Sequence, residues 1–290
     1  MKIIYNPTAG GGRSERHRQR LEKLLKGRGQ SYRLLPTEKP GHATQLAHQL
    51  VAEGEGRVVV MGGDGTIGEA VNGLLGSDCE LGLIPVGTGN DLARSLGLPF
   101  NNVGGALEVL EKGGTKAIDI GWERDRHFIL MTAIGYPAHV AEETNRMTRL
   151  KGSLAFFAAV YKALGRMKPI SVRMWLDDEE RELNCTSILL QNTPYCGGGQ
   201  FMAPQASLED GKLDVVVIAP VGKLDLMLNF PRIYRGTHVT HPAFSVHRAS
   251  HVRIETETPM RKMFDGDICG ETPLEARAMR AALRVVVPLE

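Results

Sequence analysis

A chain of 290 residues, 42% of them hydrophobic, is long enough to bury a sizeable core in one or two domains. Its 35 lysines and arginines nearly cancel 33 acids, for a net charge of +2, and no basic stripe or run is present, which argues against a dedicated nucleic-acid binder. Cys79, Cys185, Cys196 and Cys269 show no C-x-x-C spacing, so neither a zinc site nor a disulfide framework is expected, and a reducing compartment fits better. The opening "MKIIYNPTAG" has too short an apolar run for a signal peptide, and "SLAFFAAVYKALG" falls short of the ~20 residues that span a bilayer, so the expectation is a cytoplasmic protein with no transmembrane segment.

In chain order, "KIIYN" reads as a strand, 14–28 as a helix, "SYRLLP" as a strand and 42–53 as a helix. "RVVVM" is a strand, 66–75 a helix, "ELGLIP" a strand, 89–97 a short helix and 102–112 a helix. Strands alternating with helices imply a parallel sheet covered on both faces, and continuously apolar short strands suit such a sheet. Ligands bind such sheets at the carboxyl ends of the strands. Each glycine cluster (10–12, 62–65 and 87–89) follows a strand. After "KAIDIGW" the pattern changes. "HFILMTAIG", "ISVRMWLDDEERELNCTSILLQN", "KLDVVVIAP", "AFSVHRASHVRIET" and "ALRVVVP" read as strands, "DDEE" as a hairpin turn, and 137–167 as a helical interruption. A second, mainly antiparallel domain is expected from about residue 123.

The loop "GGDGT" (62–66) raises a chemical question. Glycines between a strand and a helix let a phosphate approach backbone N–H groups and the positive end of the helix. Asp64 would repel that phosphate unless a divalent cation lay between them or the carboxylate faced a second substrate and accepted its proton. Both are phosphoryl-transfer roles. The loop is neither a Walker A sequence nor G-x-G-x-x-G, and the plainer reading is a strand-to-helix turn capped by Asp64. Two further loops weigh against that reading. "NPTAGGGR" (6–13) offers Asn6 and three glycines, and "PVGTGNDLARSLGLP" (85–99) offers Gly87, Thr88, Gly89, Asn90 and Asp91, although Asp91 alone could be an N-cap.

These three segments, in this order and spacing, resemble the catalytic domain of diacylglycerol kinases, and the whole chain resembles the soluble bacterial lipid kinases of that family, which also includes sphingosine and ceramide kinases. "GGDGT" by itself is shared with NAD kinases. The resemblance implies an α/β plus β fold: an ATP-binding α/β catalytic domain over 1–122, like that of NAD kinase and phosphofructokinase, and a β-sandwich lipid-acceptor domain over 123–290, with a last strand at 281–290 that could return to the first domain. It implies ATP and Mg2+ in the cleft between them. Asn6, Gly10, Gly11, Gly62, Gly63, Asp64, Gly65, Thr66, Gly87, Thr88, Gly89 and Asn90 would then hold the nucleotide. "PTEKPGHATQLA" looks like the family's threonine-containing loop, so Thr37 would join them. His42 stands where Asp is common and reads as a helix-start residue. Gly68 replaces a frequent Asn, which leaves that nucleotide contact open, while Glu69 is present and would join the nucleotide site.

In the second domain, "APQASLEDGKLDVVV" resembles a segment that holds a structural Mg2+ in the family. Asp210 would supply a carboxylate and the carbonyls near Ser207 and Lys212 further oxygens, the ligands a hard cation prefers. A Glu-Asp-Gly-Lys turn is the alternative. "KMFDGDICGETP" matches the segment where relatives read Asp-Gly-Glu and the third residue is the proton acceptor. Here it is Asp267, one methylene shorter, so Asp265, Asp267 and Asp64 all remain candidate bases, and Asp-Gly is also a strong turn signal. His238, His241, His247 and His251 fit no metal spacing and read as surface or strand residues. "CGGGQFMAPQA" reads as a flexible connection or a cleft-shaping loop, and "RLKGSLAFFAAVYKALGRM" as a packed helix or one that rests on a membrane.

The expected function is ATP-dependent phosphorylation of a lipid hydroxyl, with diacylglycerol giving phosphatidic acid, by Asp64 and Asp91 through Mg2+ and by Asp267 as base. The implied partner is a lipid substrate met by transient contact with a membrane surface, with a homodimer left open. The rivals are an NAD kinase-like enzyme with a soluble acceptor and a nucleotide-binding regulator that has lost catalysis.

Overall fold

The first strand, β1 (Lys2–Tyr5), lies inside the sheet, and its Ile3 and Ile4 are completely buried. β2 (Arg33–Pro36) and β3 (Arg57–Gly62) flank it in parallel, and β4 (Glu80–Pro85) continues the parallel ladder beyond β3. The helices between them are α1 (Ser14–Gly27), α2 (His42–Ala52) and α3 (Asp64–Leu74). α4 (Asp91–Ser95) and α5 (Val103–Lys112) follow β4. This computed structural model describes residues 1–147 and 153–289. The chain separates into two units, Met1–Ile118 with Ala281–Glu290, and Asp119–Arg280.

In the first unit, Leu21 and Leu25 of α1 and Val103 and Leu107 of α5 pack on Ile3, Val59, Met61 and Ile84, so one face of the sheet is sealed by helix residues four apart. α2 and α3 lie close together because Gly73 has no side chain: a Cβ there would stand 2.5 Å from the Thr44 carbonyl oxygen. The strand order β2-β1-β3-β4 places β1's neighbours on opposite sides of it, so the chain reverses direction across the sheet at the β1/β3 junction. Crevices at such junctions, outside the carboxyl ends of the strands, are where ligands bind.

The second unit opens with β5 (Gly114–Glu123), whose first residues belong to the first unit, and β6 (Arg126–Phe128). It continues through β7 (Met131–Gly135), α6 (Tyr136–Arg146), α7 (Ser153–Ala163), β8 (Ile170–Leu176), β9 (Glu179–Cys185), β10 (Ser187–Gln191) and β11 (Leu213–Ile218). α8 (Lys223–Ile233), β12 (Phe244–Ala249), β13 (His251–Thr256), β14 (Arg261–Phe264), β15 (Asp267–Glu271) and β16 (Leu274–Val287) complete it. One antiparallel sheet runs β12-β11-β10-β7-β14-β15, and β16, β13, β8 and β9 form the other. Ile134, Ile188, Val215 and Phe264 of the first sheet meet Val172, Met174, Val252 and Leu274 of the second in one core, which makes the unit a β-sandwich. The residues of β16 from Ala281 onward belong to the first unit, where Arg284 and Val285 pair in parallel with Glu80 and Leu81.

Several elements differ from the sequence reading. α3 begins two residues early, at Asp64, because Gly63 is extended and already serves as N-cap. "HFILMTAIG" is two strands rather than one, since the amides of Ile129, Leu130 and Met131 turn to the Asp265 carboxylate. α8 was not foreseen: Leu224, Leu226, Leu228 and Phe230 alternate as in a strand, and Pro231 interrupts the run. The helical interruption 137–167 resolves into α6 and α7, and Arg149 and Lys151 of its basic end lie outside the described residues.

Candidate active site

The three glycine loops meet at the carboxyl ends of β1, β3 and β4. Asn6 follows β1, and its side-chain oxygen accepts from the Thr8 amide (2.9 Å) and hydroxyl (2.8 Å). Its Nδ2 donates to the Thr66 hydroxyl at 3.0 Å, tying the first loop to the second. Gly10, Gly11 and Gly12 run with φ of 62°, 68° and 92°, a left-handed path that costs other residues about 1–2 kcal/mol each. A Cβ on Gly10 would stand 2.6 Å from the Val86 carbonyl oxygen, so this glycine joins the first loop to the third. Gly63 and Gly87 face each other so closely that a Cβ on Gly63 would lie 3.0 Å from the Gly87 Cα. Gly62 is filled on its open side by the Thr66 side chain. These glycines therefore serve loop-to-loop packing. Gly11, Gly12 and Gly65 face open space and are the ones whose backbone a ligand could approach. Thr88 is exposed and Gly89 half-buried.

Several predicted contacts are engaged within the protein. The Asn90 side chain closes its own loop, accepting from the Gly87 amide at 2.8 Å and donating to the Gly87 carbonyl at 3.0 Å. Its φ of 53° is one that Asn tolerates better than most residues. Glu69 accepts from the Ala43 amide at 3.2 Å and so caps α2, while His42 is the first residue of that helix. Thr37 donates its amide to the Tyr5 carbonyl at 2.9 Å, which carries the β1/β2 ladder one step further and sets Thr37 beside Asn6. A Cβ on Gly68 would meet nothing within 4 Å.

Asp64 is the electrostatic centre of this crevice. Its carboxylate accepts from the Leu92 amide at 3.2 Å, at the start of α4. Burial pushes its carboxyl above the usual carboxylate range, and the amides of Asp91, Leu92 and Asn90 offset this only in part. Asp91 is buried at the head of α4. α3 has no side-chain cap, so the amides of its first turn lack intrahelical partners, as at any helix N-terminus. The arrangement pairs anion-binding amides with a desolvated carboxylate that a cation would stabilise.

The other candidates lie in the second unit. Asp265 and Gly266 form the two-residue turn between β14 and β15, with φ of 46° and 99°. The Asp265 carboxylate accepts from the amides of Ile129 (2.8 Å), Leu130 (2.9 Å) and Met131 (2.9 Å). It is thus a brace for the β6–β7 junction. Asp267, two residues on, is exposed; its backbone pairs with Phe264, and its carboxylate makes no hydrogen bond or ion pair among the described residues. Asp210 accepts from the Lys212 amide at 3.0 Å and lies 3.8 Å from the Arg248 guanidinium, and Ser207 Oγ accepts from the Glu209 amide at 3.2 Å. Two acids nearby were not singled out from sequence. Buried Asp119 accepts from the Gly211 amide at 2.6 Å. Asp214 is bound by Arg248 at 3.1 Å through one oxygen, while the other is buried without a partner among the described residues. Burial raises its carboxyl above the usual range. The signal for both was an acid inside an apolar strand, "KAIDIGW" and "KLDVVV". Among the described residues no three His, Cys, Asp or Glu side chains converge as metal ligands. The four histidines have separate partners: Met202, Asp225, Arg181 and Glu275.

Comparison with known proteins matches this architecture. Residues 1–122 match the diacylglycerol kinase catalytic domain, and 131–287 match the YegS C-terminal NAD kinase beta sandwich-like domain. A diacylglycerol kinase of Mycobacterium tuberculosis is 34% identical over 98% of this chain and 94% of its own length. One from Staphylococcus haemolyticus is 29% identical over 99% and 88%. The chain belongs to the diacylglycerol kinase family. A solved diacylglycerol kinase from Bacillus anthracis superposes on this kinase with a TM-score of 0.77 at 23% identity, covering 99% of this chain and 96% of that one. Another solved chain from the same organism reaches 0.84 at 24%, covering 99% and 94%. At such identities they establish the fold of the kinase alone.

Proposed function

We propose that this kinase transfers the γ-phosphoryl group of ATP, with Mg2+, to the hydroxyl of a lipid, converting diacylglycerol to phosphatidic acid for phospholipid synthesis. The observation that carries the proposal is the crevice at the β1/β3 junction, where open glycines and the uncapped start of α3 surround the desolvated Asp64. That the relatives are named diacylglycerol kinases supports the choice of acceptor.

In this proposal the amides of the first and second glycine loops donate to the phosphates, a preorganised anion site that needs no rearrangement as charge develops. The packing glycines Gly10, Gly63 and Gly87 keep those amides in place. Asp64, with Asp91, would hold Mg2+, whose contribution when bound is to neutralise charge on the phosphates. The raised carboxyl of Asp64 fits this role, because a half-buried carboxylate with only amide partners gains from a cation. The Asp210 turn, near the half-satisfied Asp214, would hold a second, structural ion through Asp210 and the carbonyls near Ser207 and Lys212.

Asp267 would take the proton of the acceptor hydroxyl. Asp265 is committed to three amides, which leaves Asp267 as the carboxylate of its segment with lone pairs to spare. The kinase works in the cytoplasm and meets its lipid at the membrane surface; no helix among the described residues is long and apolar enough to cross a bilayer. Incubation with ATP, Mg2+ and a panel of lipids in detergent, with the product identified by mass, tests the proposal. Phosphatidic acid is the expected product, and its loss in an Asp64→Asn variant that still melts cooperatively ties turnover to the crevice.

A further inference from the structure

The second unit carries an apolar surface that faces water. On α8, Leu224 and Leu228 are 68% and 71% exposed, while Leu226 and Ile233 point inward and are buried. A helix packed on a core ordinarily shows the reverse, with polar residues outward. The surface continues onto α7, where Phe157 and Tyr161, one turn apart, are 44% and 64% exposed. Phe230 of α8 joins the helices, its ring lying 6.4 Å from Phe157 and 6.0 Å from Tyr234 in edge-to-face contacts.

Cations outnumber acids around this surface. Lys223 and Arg235 stand at the two ends of α8, exposed and without an acidic partner among the described residues. Asp225, the one acid of α8, accepts from Asn229 and faces His241. Lys162 and Arg166 flank α7 and are balanced by the buried Glu143 and Glu142. The surface thus has an apolar centre, aromatic rings at its seam and uncompensated cations at its rim.

We propose that this α7/α8 face docks the kinase on a bilayer containing anionic phospholipid, with Leu224, Leu228, Phe157 and Tyr161 entering the headgroup region and Lys223 and Arg235 against lipid phosphates. This rests on the lipid-kinase reading: a two-chain acceptor stays in the membrane because each buried methylene contributes about 0.8 kcal/mol, so the enzyme must come to it. Interfacial helices are recognised by this combination of outward apolar residues and flanking cations.

The test is flotation of the full chain with vesicles of phosphatidylcholine alone and of phosphatidylcholine with about one-third phosphatidylglycerol. The wild type should float preferentially with the anionic vesicles. Leu224→Ser with Leu228→Ser should weaken partitioning about thirtyfold or more on both, since two largely exposed leucines lose their burial. Lys223→Gln with Arg235→Gln should weaken it about thirtyfold on the anionic vesicles alone, at roughly fivefold per cation. All four residues are exposed, so melting temperatures should not change.

Phosphorylation of dioctanoylglycerol kept monomeric in solution should match wild type in both variants, whereas long-chain diacylglycerol in anionic vesicles should be phosphorylated much more slowly. If the wild type phosphorylates neither acceptor, the lipid-kinase reading fails, and flotation still judges the docking face separately. The docking proposal is overturned if the wild type does not float with anionic vesicles or if the serine variant floats equally well. It is also overturned if light scattering shows a dimer that the serine variant breaks, since the face would then be covered by a second copy.

Discussion

Gly87 and Gly65 sit in neighbouring loops, yet they should respond to alanine in opposite ways. A Cβ on Gly87 would fall onto the Gly63 Cα and within 3.3 Å of the Gly63 amide nitrogen. Both obstacles are backbone, so relief requires a shift of one loop. Overpacking of this kind costs about 1–3 kcal/mol. At about 2–4 °C per kcal/mol for a chain of this size, Gly87→Ala should melt about 2–12 °C below wild type. Gly65 meets nothing within 4 Å and lies in the first turn of α3 without a positive φ. Alanine there should leave stability unchanged or add up to about 1 kcal/mol. If the amides around Gly65 hold phosphate, the added methyl group fills the approach, and ATP affinity should fall about tenfold to a hundredfold. Thermal melts and ATP titration by calorimetry measure the two effects separately. Wild-type melting of Gly87→Ala would refute the loop-packing argument, and wild-type ATP affinity in Gly65→Ala would refute the assignment of the open glycines.

The two acids of the β14–β15 turn should separate likewise. Asp265→Asn loses a carboxylate that serves three amides and should cost about 1–3 kcal/mol in a urea melt. Asp267→Asn should melt like wild type and lose turnover, whereas Asp267→Glu keeps substantial activity. If Asp267→Asn stays active while Asp64→Asn does not, the base is Asp64. The raised carboxyl of Asp64 sets a pH dependence: the folded state retains a proton that the unfolded chain has released, so this residue's stabilisation is complete below about pH 3.9 and lost as pH rises through the folded value. Asp64→Asn should flatten that part of the stability–pH curve, and Mg2+ should raise the wild-type melting temperature more than that of Asp64→Asn. If Asp210 anchors an ion, EDTA should lower the melting temperature of wild type more than that of Asp210→Asn; equal sensitivity leaves only the turn.

The nucleotide half was legible because its signals are local. β1, β3 and β4 are unbroken apolar runs, each followed by glycines, and α1, α2 and α5 begin and end within a residue or two of the helical patterns. The three loops were recognised, but not the division of labour among their glycines. Whether Gly63 or Gly65 has a neighbour depends on a different loop some twenty residues away, which no local pattern records. Asp265 shows the same limit more sharply, since its amide partners are 134–136 residues distant in the chain. Sequence could place Asp265 in a turn but could not say that its carboxylate was already occupied. α8 was hidden for another reason. Helix recognition relies on a polar outward face, and this helix turns Leu224 and Leu228 to solvent, so its apolar residues fall at strand spacing.

The central claim, phosphoryl transfer from ATP to a lipid hydroxyl, is tested most directly with ATP carrying 18O on every γ-phosphate oxygen and diacylglycerol as acceptor, followed by mass analysis of the lipid. Transfer of the phosphoryl group predicts phosphatidic acid that carries three heavy oxygens, the fourth coming from the acceptor hydroxyl, in wild type and not in Asp64→Asn. Labelled inorganic phosphate with unmodified diacylglycerol, or the same labelled product from Asp64→Asn, would contradict it.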